Sequence, residues 1–524
     1  MKTYENHIKS IQQVGETLDV NYKPVFRASA IFPVLHTEHF SSEILFLGYW
    51  LLKRKIKEIG LVITLRSEEG NILKRRNLTI DCVKAFSIRL SSLLENVEGI
   101  FYGSIELEVF SSKDMVFPYP AFVVTYYNEF FSTAVHTTGR VYNDIEDFNN
   151  NNNIRVAESG FDIYADDNLS PFIAFVNGPV EVKTPVFNCL ITNSNGQDKK
   201  MSFSMNSIDK YQTCFVQLDD YIEGLGTFLG GQPGSIKIHH EFTSFFPRFI
   251  AGNFQKAPNL MSITHTYYDC SASDGSAHYW TRDQGEHHQS STMVPLLLKK
   301  DYYTNLALYP IFSPSTYYIS FEFFDEVGTL LHCLEKYQCV KSVDSEYRLI
   351  KFKEIVANFD WKDQVASTRI IINWEEGKIP TRLKLGLNVG MENQETQLPC
   401  NICFAPTIGN PRIDQKTGTF KWSPIINKGN SILYFLNAPT HKKVFKEATI
   451  DMKIYRESDN ECLKRTIQLA PFQQNKIDLA EDEELRNFLQ GESGWVAANA
   501  DNPYVNGWYF DVGASGLIAG DHSF

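Results

Sequence analysis

The chain has 524 residues, 43% hydrophobic and 21% charged, the balance of an ordinary globular protein with length for several cores. Its formal charge of -12 and the lack of a Lys/Arg stripe argue against nucleic-acid binding, which needs a basic face to displace counterions. No apolar run reaches the roughly 18 residues of a membrane helix, the N-terminal MKTYENHIKSIQQVGETLDV has no apolar signal core, and nine irregularly spaced cysteines do not make a disulfide framework. The expected location is therefore the cytoplasm, or outside the cell by a route without a cleaved Sec signal.

The 38 Phe and 25 Tyr favour half-buried pleated surfaces, and the first part of the chain reads as strands. EILFLGYW begins at Glu43, GLVITLRSEEGNIL at Gly60 and AFSIRLSSLL at Ala85. Then comes GSIELEVFSSKDMVF from Gly103, a break at Pro118, an apolar strand and FFSTAVHTT with His136. The same series returns as PFIAFVNGP (Pro171), VFNCLITNSNGQ (Val186), CFVQLDDYI (Cys214) and GSIKIHHEF (Gly234), with a break at Pro247 and NLMSITHTY with His265. A third pass has NLALYPIFSP, YYISFEFFDEVGTL, YRLIKFKEIV, a break at Pro380 and LPCNICFAP with Cys403. A fourth has SILYFLNAP, TIDMKIYRESDNEC, NKIDLAEDEEL, a break at Pro503 and GLIAGDHSF with His522. Corresponding strands recur about every 130 residues, near the usual size of one domain.

Turns after polar residues at Gly70, Gly196 and Gly328, and at Asp459-Asn460, suit the left-handed backbone of a hairpin. The strands flanking each proline are expected to pair antiparallel, with the proline at the connection. Six or seven such strands per unit predict an all-β fold, a tandem array of four diverged antiparallel β-sandwich domains, Ig-like or jelly-roll-like, with few short helices. The expected domains are 1–148, 154–278, 290–410 and 419–524. Helix is predicted only for short turns such as Asp219 to Glu223 and Asp482 to Gln490, and Asn149 to Asn153 reads as a solvated loop.

Three groups of residues are candidates for chemistry. The strand-end positions His136, His265, Cys403 and His522 recur once per unit, and both residue types bind metals. In strung-out domains they are tens of Å apart and act as turn residues bonding a backbone carbonyl; only a ring-like packing of the units brings them together. The segment HTYYDCSASDGSAHYWTRDQGEHHQSS holds four of the 13 histidines. Its His265, Tyr267, Asp269, Asp274, His278, Tyr279, Trp280 and Asp283 are candidate ligand-binding residues, the aromatic rings for a sugar face and the polar groups for its hydroxyls. His265, His278, Asp283 and His287 are its candidate metal ligands. Cys400 and Cys403, with Cys333 and Cys339 in the same unit, have the inventory of a structural zinc site, although buried free thiols are the plainer account.

The last five residues, GDHSF from Gly520, resemble the Gly-Asp-His-Ser motif of the arginase-like ureohydrolases, whose histidine binds manganese. The resemblance stops there: the partner Asp-rich motifs are absent and the β pattern is unlike that α/β fold. The apolar FDVGASGLIAGDHSF is expected to dock against another part of the protein or a second subunit, a candidate homo-oligomer contact. No P-loop, dinucleotide fingerprint or nucleophile elbow is present.

These features favour a non-catalytic multi-domain binding or scaffold protein that recognises a glycan or glycoconjugate, or else a protein ligand, through rim loops. The alternatives are a metal-assisted carbohydrate-active enzyme with its site in 265–288, and a structural or surface assembly subunit. No cofactor is expected apart from a candidate divalent metal.

Overall fold

Alternating side chains build the sheets. In Ile59–Ser67, the residues Ile59, Leu61, Ile63 and Leu65 are all buried, as a strand with one face on a core requires. The computed structural model describes residues 26–524 apart from 95–98, 118, 137–138, 142–157, 243–244, 247, 267–278, 282–289, 313–315, 342, 345, 376–377, 381–382 and 409–410.

The described chain is dominated by antiparallel strands with a few short helices. Four successive blocks of eight strands share one order. With strands counted along the block, one sheet runs first–sixth–third–fourth and the other fifth–second–seventh–eighth. In the first block the strands are Arg27–His36, Ser41–Leu47, Ile59–Ser67, Ile72–Ile80, Ala85–Arg89, Phe101–Phe110, Val123–Tyr127 and Ser132–His136. The third block adds Thr407–Ile408 beside its first strand, Ser290–Pro295. The order differs from that of an immunoglobulin domain, where the first strand pairs with the second.

The strands flanking each proline do not pair. The sixth lies in one sheet and the seventh in the other, so this connection crosses between layers, and the antiparallel pairing expected there is wrong. A proline loop lacks donors whether the chain returns within a sheet or leaves it, so the pattern alone could not separate the two. The hairpins are instead third–fourth and seventh–eighth. Gly70, Gly196 and Gly328 have φ of +86°, +74° and +90° in the third–fourth turns, the left-handed backbone their positions suggested. The repeated Gly-Ser-Ile has a steric cause. A Cβ on Gly103 would lie 2.1 Å from the carbonyl oxygen of Arg66 on the neighbouring strand, and one on Gly234 would lie 2.6 Å from that of Thr192.

The two edges of each block are treated differently. The fourth strand carries charge at the open edge, Lys74-Arg75-Arg76 in Ile72–Ile80 and Lys464-Arg465 in Cys462–Leu469, which discourages pairing with other chains. The eighth strands are apolar and almost wholly buried; all six residues of Leu260–His265 are. They cover one another. Ser132–His136 packs on Leu260–His265, that strand on Cys400–Phe404, that one on Ile518–His522, and the last returns to Ser132–His136. The array closes into a cycle around an axis.

Each seam is hydrogen-bonded. Ile263 N donates to Thr133 Oγ1 at 2.9 Å, Gln255 Nε2 to Glu395 O at 2.8 Å, and Trp508 Nε1 to Met293 O at 3.3 Å. Ser132 Oγ donates to Asp511 Oδ2 at 2.7 Å and closes the fourth seam. Apolar clusters also run across seams: Trp508 and Phe510 join the core of the third block, and Leu45 and Val123 that of the fourth. The C-terminal segment packs here, with Leu517, Ile518 and Ala519 at most 1% exposed, so it docks against another part of its own chain.

Short helices follow the fifth strand of each block: Leu90–Leu93, Leu218–Asp220 with Leu225–Leu229, Phe352–Val356 and Glu483–Leu489. Asp482 caps the last by accepting from Leu485 N, a carboxylate at a helix N-terminus. Tyr49–Lys53, Pro411–Asp414 and Lys442–Val444 are helical where none was expected. The apolar EILFLGYW reads as a single strand, yet the strand ends at Leu47 and Tyr49–Lys53 is helical.

Candidate functional site

Closure of the cycle brings the four strand ends to one end of the axis. His136, His265, Cys403 and His522 pair with Val123, Ile250, Gly386 and Trp508 on their seventh strands. The His136 ring lies 4.6 Å from that of His265 and 5.2 Å from that of His522, centroid to centroid. The separation expected of strung-out domains is therefore wrong for these positions, because the eighth strands pack on each other. The backbone-bonding reading is also partly right: His265 Nδ1 meets Thr266 O at 3.0 Å and His522 Nδ1 meets Ser523 O at 3.1 Å. His136 Nδ1 instead meets Asp521 Oδ2 at 2.6 Å, a short contact between a ring nitrogen and a carboxylate from another block.

Burial and charge set the protonation of this cluster. Burial pushes the pKa of His265 well below the ordinary imidazole value, and the charges of Arg248, His136 and Lys384 push it further. Burial likewise lowers His522, against the opposing pull of Asp521. Burial alone would raise Asp521, but His136 and His522 outweigh it and hold the carboxyl below its usual range.

The rings of His136, His265 and His522 floor a cleft of about 450 Å³, with Asp521 behind them outside its lining. Lys53, Arg54, Arg248 and Lys384 bring four cations to its lining, and no Asp or Glu side chain among the described residues joins them. Arg248 and Lys384 stand two residues before the partners of His265 and Cys403. Lys384 Nζ contacts Cys403 Sγ at 3.5 Å. Lys53 comes from the Tyr49–Lys53 helix and keeps solvent contact at the mouth, 4.4 Å over the Trp422 ring. Partial burial, then the charges of Arg54, Lys421 and Lys416, lower its pKa to about 8. Trp422 is itself stacked against Tyr49 at 4.8 Å and Phe524 at 5.5 Å. Phe117 and Tyr119, on the loop joining the sixth and seventh strands, are each 49% exposed and present open rings at the rim. The opposite end of the axis holds a second cleft of about 590 Å³, lined mainly by polar residues such as Asn128, Asn259, Gln394 and Ser515.

The segment 265–288 is placed only in part. Tyr267, Asp269, Asp274, His278, Asp283 and His287 lie outside the described residues, and Tyr279–Thr281 forms a short strand paired with Lys378–Pro380. Of its candidate ligands, His265 is the one placed, and its ring joins the axial cluster. The four-cysteine grouping is not formed: Cys400 and Cys403 are buried in an eighth strand, whereas Cys333 and Cys339 are exposed on a fourth strand in the other sheet. Sequence reasoning missed Asp521, Arg248, Lys384 and the Tyr49–Lys53 helix. Asp521 was visible as the neighbour of His522, and Arg248 and Lys384 as basic residues one or two positions before two seventh strands.

No protein-family model matches the chain, and no curated protein matches it. Among solved structures, it is similar to beta-glucuronidase 2 of Bacteroides uniformis, with 9% identity over 49% of this chain and 27% of that one and a TM-score of 0.11. A likeness at that level carries no argument about fold or function.

Proposed function

We propose that the chain is a non-catalytic binding protein whose ligand is an anionic glycan or glycoconjugate, taken up by the axial cleft. The observation that carries this reading is the charge of the lining: four cations and no Asp or Glu side chain among the described residues, in a chain of net charge -12. A low-dielectric cleft lined with one sign of charge concentrates ligands of the other sign. In this reading Arg248 and Lys384 meet a carboxylate or sulfate beneath the mouth, and Phe117 and Tyr119 stack on the apolar face of a sugar ring.

The test is calorimetric titration with a uronate-containing oligosaccharide, a sulfated one and a neutral one of equal length. The acidic ligands should bind, more weakly at higher salt, and Arg248→Ala should weaken them at least about tenfold, the loss of one charge-assisted contact. Equal affinity for the neutral oligosaccharide, or no binding of either acidic one, would refute the reading.

A further inference from the structure

We propose that the axial cluster is a binding site for a late first-row divalent metal ion, with His136, Asp521 and His522 as ligands and His265 beside them. These three residues each offer one ligand atom, and the atoms all lie within 4.8 Å of one another. Ligand atoms around a tetrahedral ion with bonds of 2.0–2.1 Å sit about 3.3 Å apart, so shifts of about 1.5 Å at most complete the set, the 2.6 Å pair of His136 and Asp521 opening as the ion enters. His265, 4.6 Å from His136 by ring centroid, brings a third imidazole to the same place. The cleft above leaves room for water or an exogenous ligand on the ion.

The surroundings of the rings are those of metal ligands. Metal-bound histidines almost always give their second nitrogen to a carboxylate or a backbone carbonyl. Here His265 and His522 have such a partner on Nδ1, Thr266 O and Ser523 O, while His136 Nδ1 faces the carboxylate of Asp521, its fellow ligand. That leaves Nε2 of His522, 3.8 Å from Asp521 Oδ1, and Nδ1 of His136 as the coordinating atoms of the neutral rings. Imidazole nitrogens with one carboxylate suit zinc, cobalt or nickel, whereas calcium and magnesium take shells of oxygen. The site joins the first block to the last, so the sequence offers no linear spacing to reveal it.

The full chain, stripped with a chelator and free of any glycan, is titrated with Co²⁺ alone and followed by its visible d–d absorption, then challenged with Zn²⁺. The expected result is saturation at about one equivalent and displacement by zinc. Asp521→Asn should weaken binding about 10- to 100-fold, and His522→Ala by at least as much. If the histidine variant does not fold, long-range ¹H–¹⁵N spectra of the wild-type rings replace it, with ring-nitrogen resonances of His136 and His522 shifting on zinc addition. A cobalt spectrum that never saturates, binding unchanged in both variants, or unmoved ring resonances would overturn the site. So would binding abolished by His287→Ala but not by His522→Ala, which would place the ion in the 265–288 segment. Cobalt is added without any oligosaccharide, so this outcome is independent of the anion titration.

Discussion

Replacing Asp162 by Asn should make the protein more stable at neutral pH, and the gain should fade on acidification. Asp162 is buried in the seam between the second and third blocks, where Asn388 donates to it and Asn401 links Asn388 to the Tyr309 hydroxyl. Burial raises its pKa from 3.8 to about 6, a shift that hydrogen bonds from Asn388, Tyr309, Tyr347 and Asn401 only partly offset. Between those values the folded chain keeps a proton that the unfolded chain releases. The stability of the fold therefore declines as pH rises from 3.8 to about 6, and above that the full cost of the buried charge is present. The gap corresponds to about 3 kcal/mol. Asparagine keeps an oxygen for Asn388 and cannot ionise. Urea unfolding of both proteins, followed by tryptophan fluorescence from about pH 4.5 to about pH 7.5, gives the difference from the midpoints at equal slope. The variant should lead by up to about 3 kcal/mol at the upper end, with the lead closing toward the lower. A lead that is constant with pH, or that grows in acid, would refute the assignment of the buried charge.

Arg369 is buried at the seam of the third and fourth blocks, donating to Glu322 Oε2 at 3.0 Å and to Thr440 O at 2.5 Å. Arg369→Ala should cost about 3–5 kcal/mol in the same assay, because the acceptors stay behind. Ser132→Ala removes one of three donors from the buried carboxylate of Asp511, leaving Ser431 Oγ and Gly429 N, and should cost about 1.5–3 kcal/mol. A Cβ on Gly252 would stand 2.0 Å from Ser262 O, whereas one on Gly60 would meet nothing closer than 3.9 Å. Gly252→Ala should therefore lower the unfolding midpoint and speed amide exchange in Leu260–His265, at a cost above about 1–3 kcal/mol, and Gly60→Ala should leave both unchanged.

The strands were legible where burial writes a pattern into the residues. The alternation of Ile59–Ser67 and the turns at Gly70, Gly196 and Gly328 could be read directly, because side-chain period and left-handed turns constrain residue type locally. The burial of both faces of the eighth strands, such as LMSITH, was not legible, because its Ser, Thr and His break the apolar run. The first strands of the blocks, such as Arg27–His36 and Thr419–Ile425, went unread, as did the crossing between sheets at each proline. The recurrence of His136, His265, Cys403 and His522 at one strand position was also visible.

What the sequence determined by itself was the repertoire: an all-β chain, its strand series returning four times, with a metal-competent residue at the end of each. Strand propensity and periodicity are local properties, set by neighbours one or two residues away. Only the tertiary structure decided that the series closes into a cycle, that Asp521 from the last block holds His136 from the first, and that Lys53, Arg248 and Lys384 face one cleft. Those facts depend on which sheet edges cover which, and that is settled by burial between residues hundreds of positions apart.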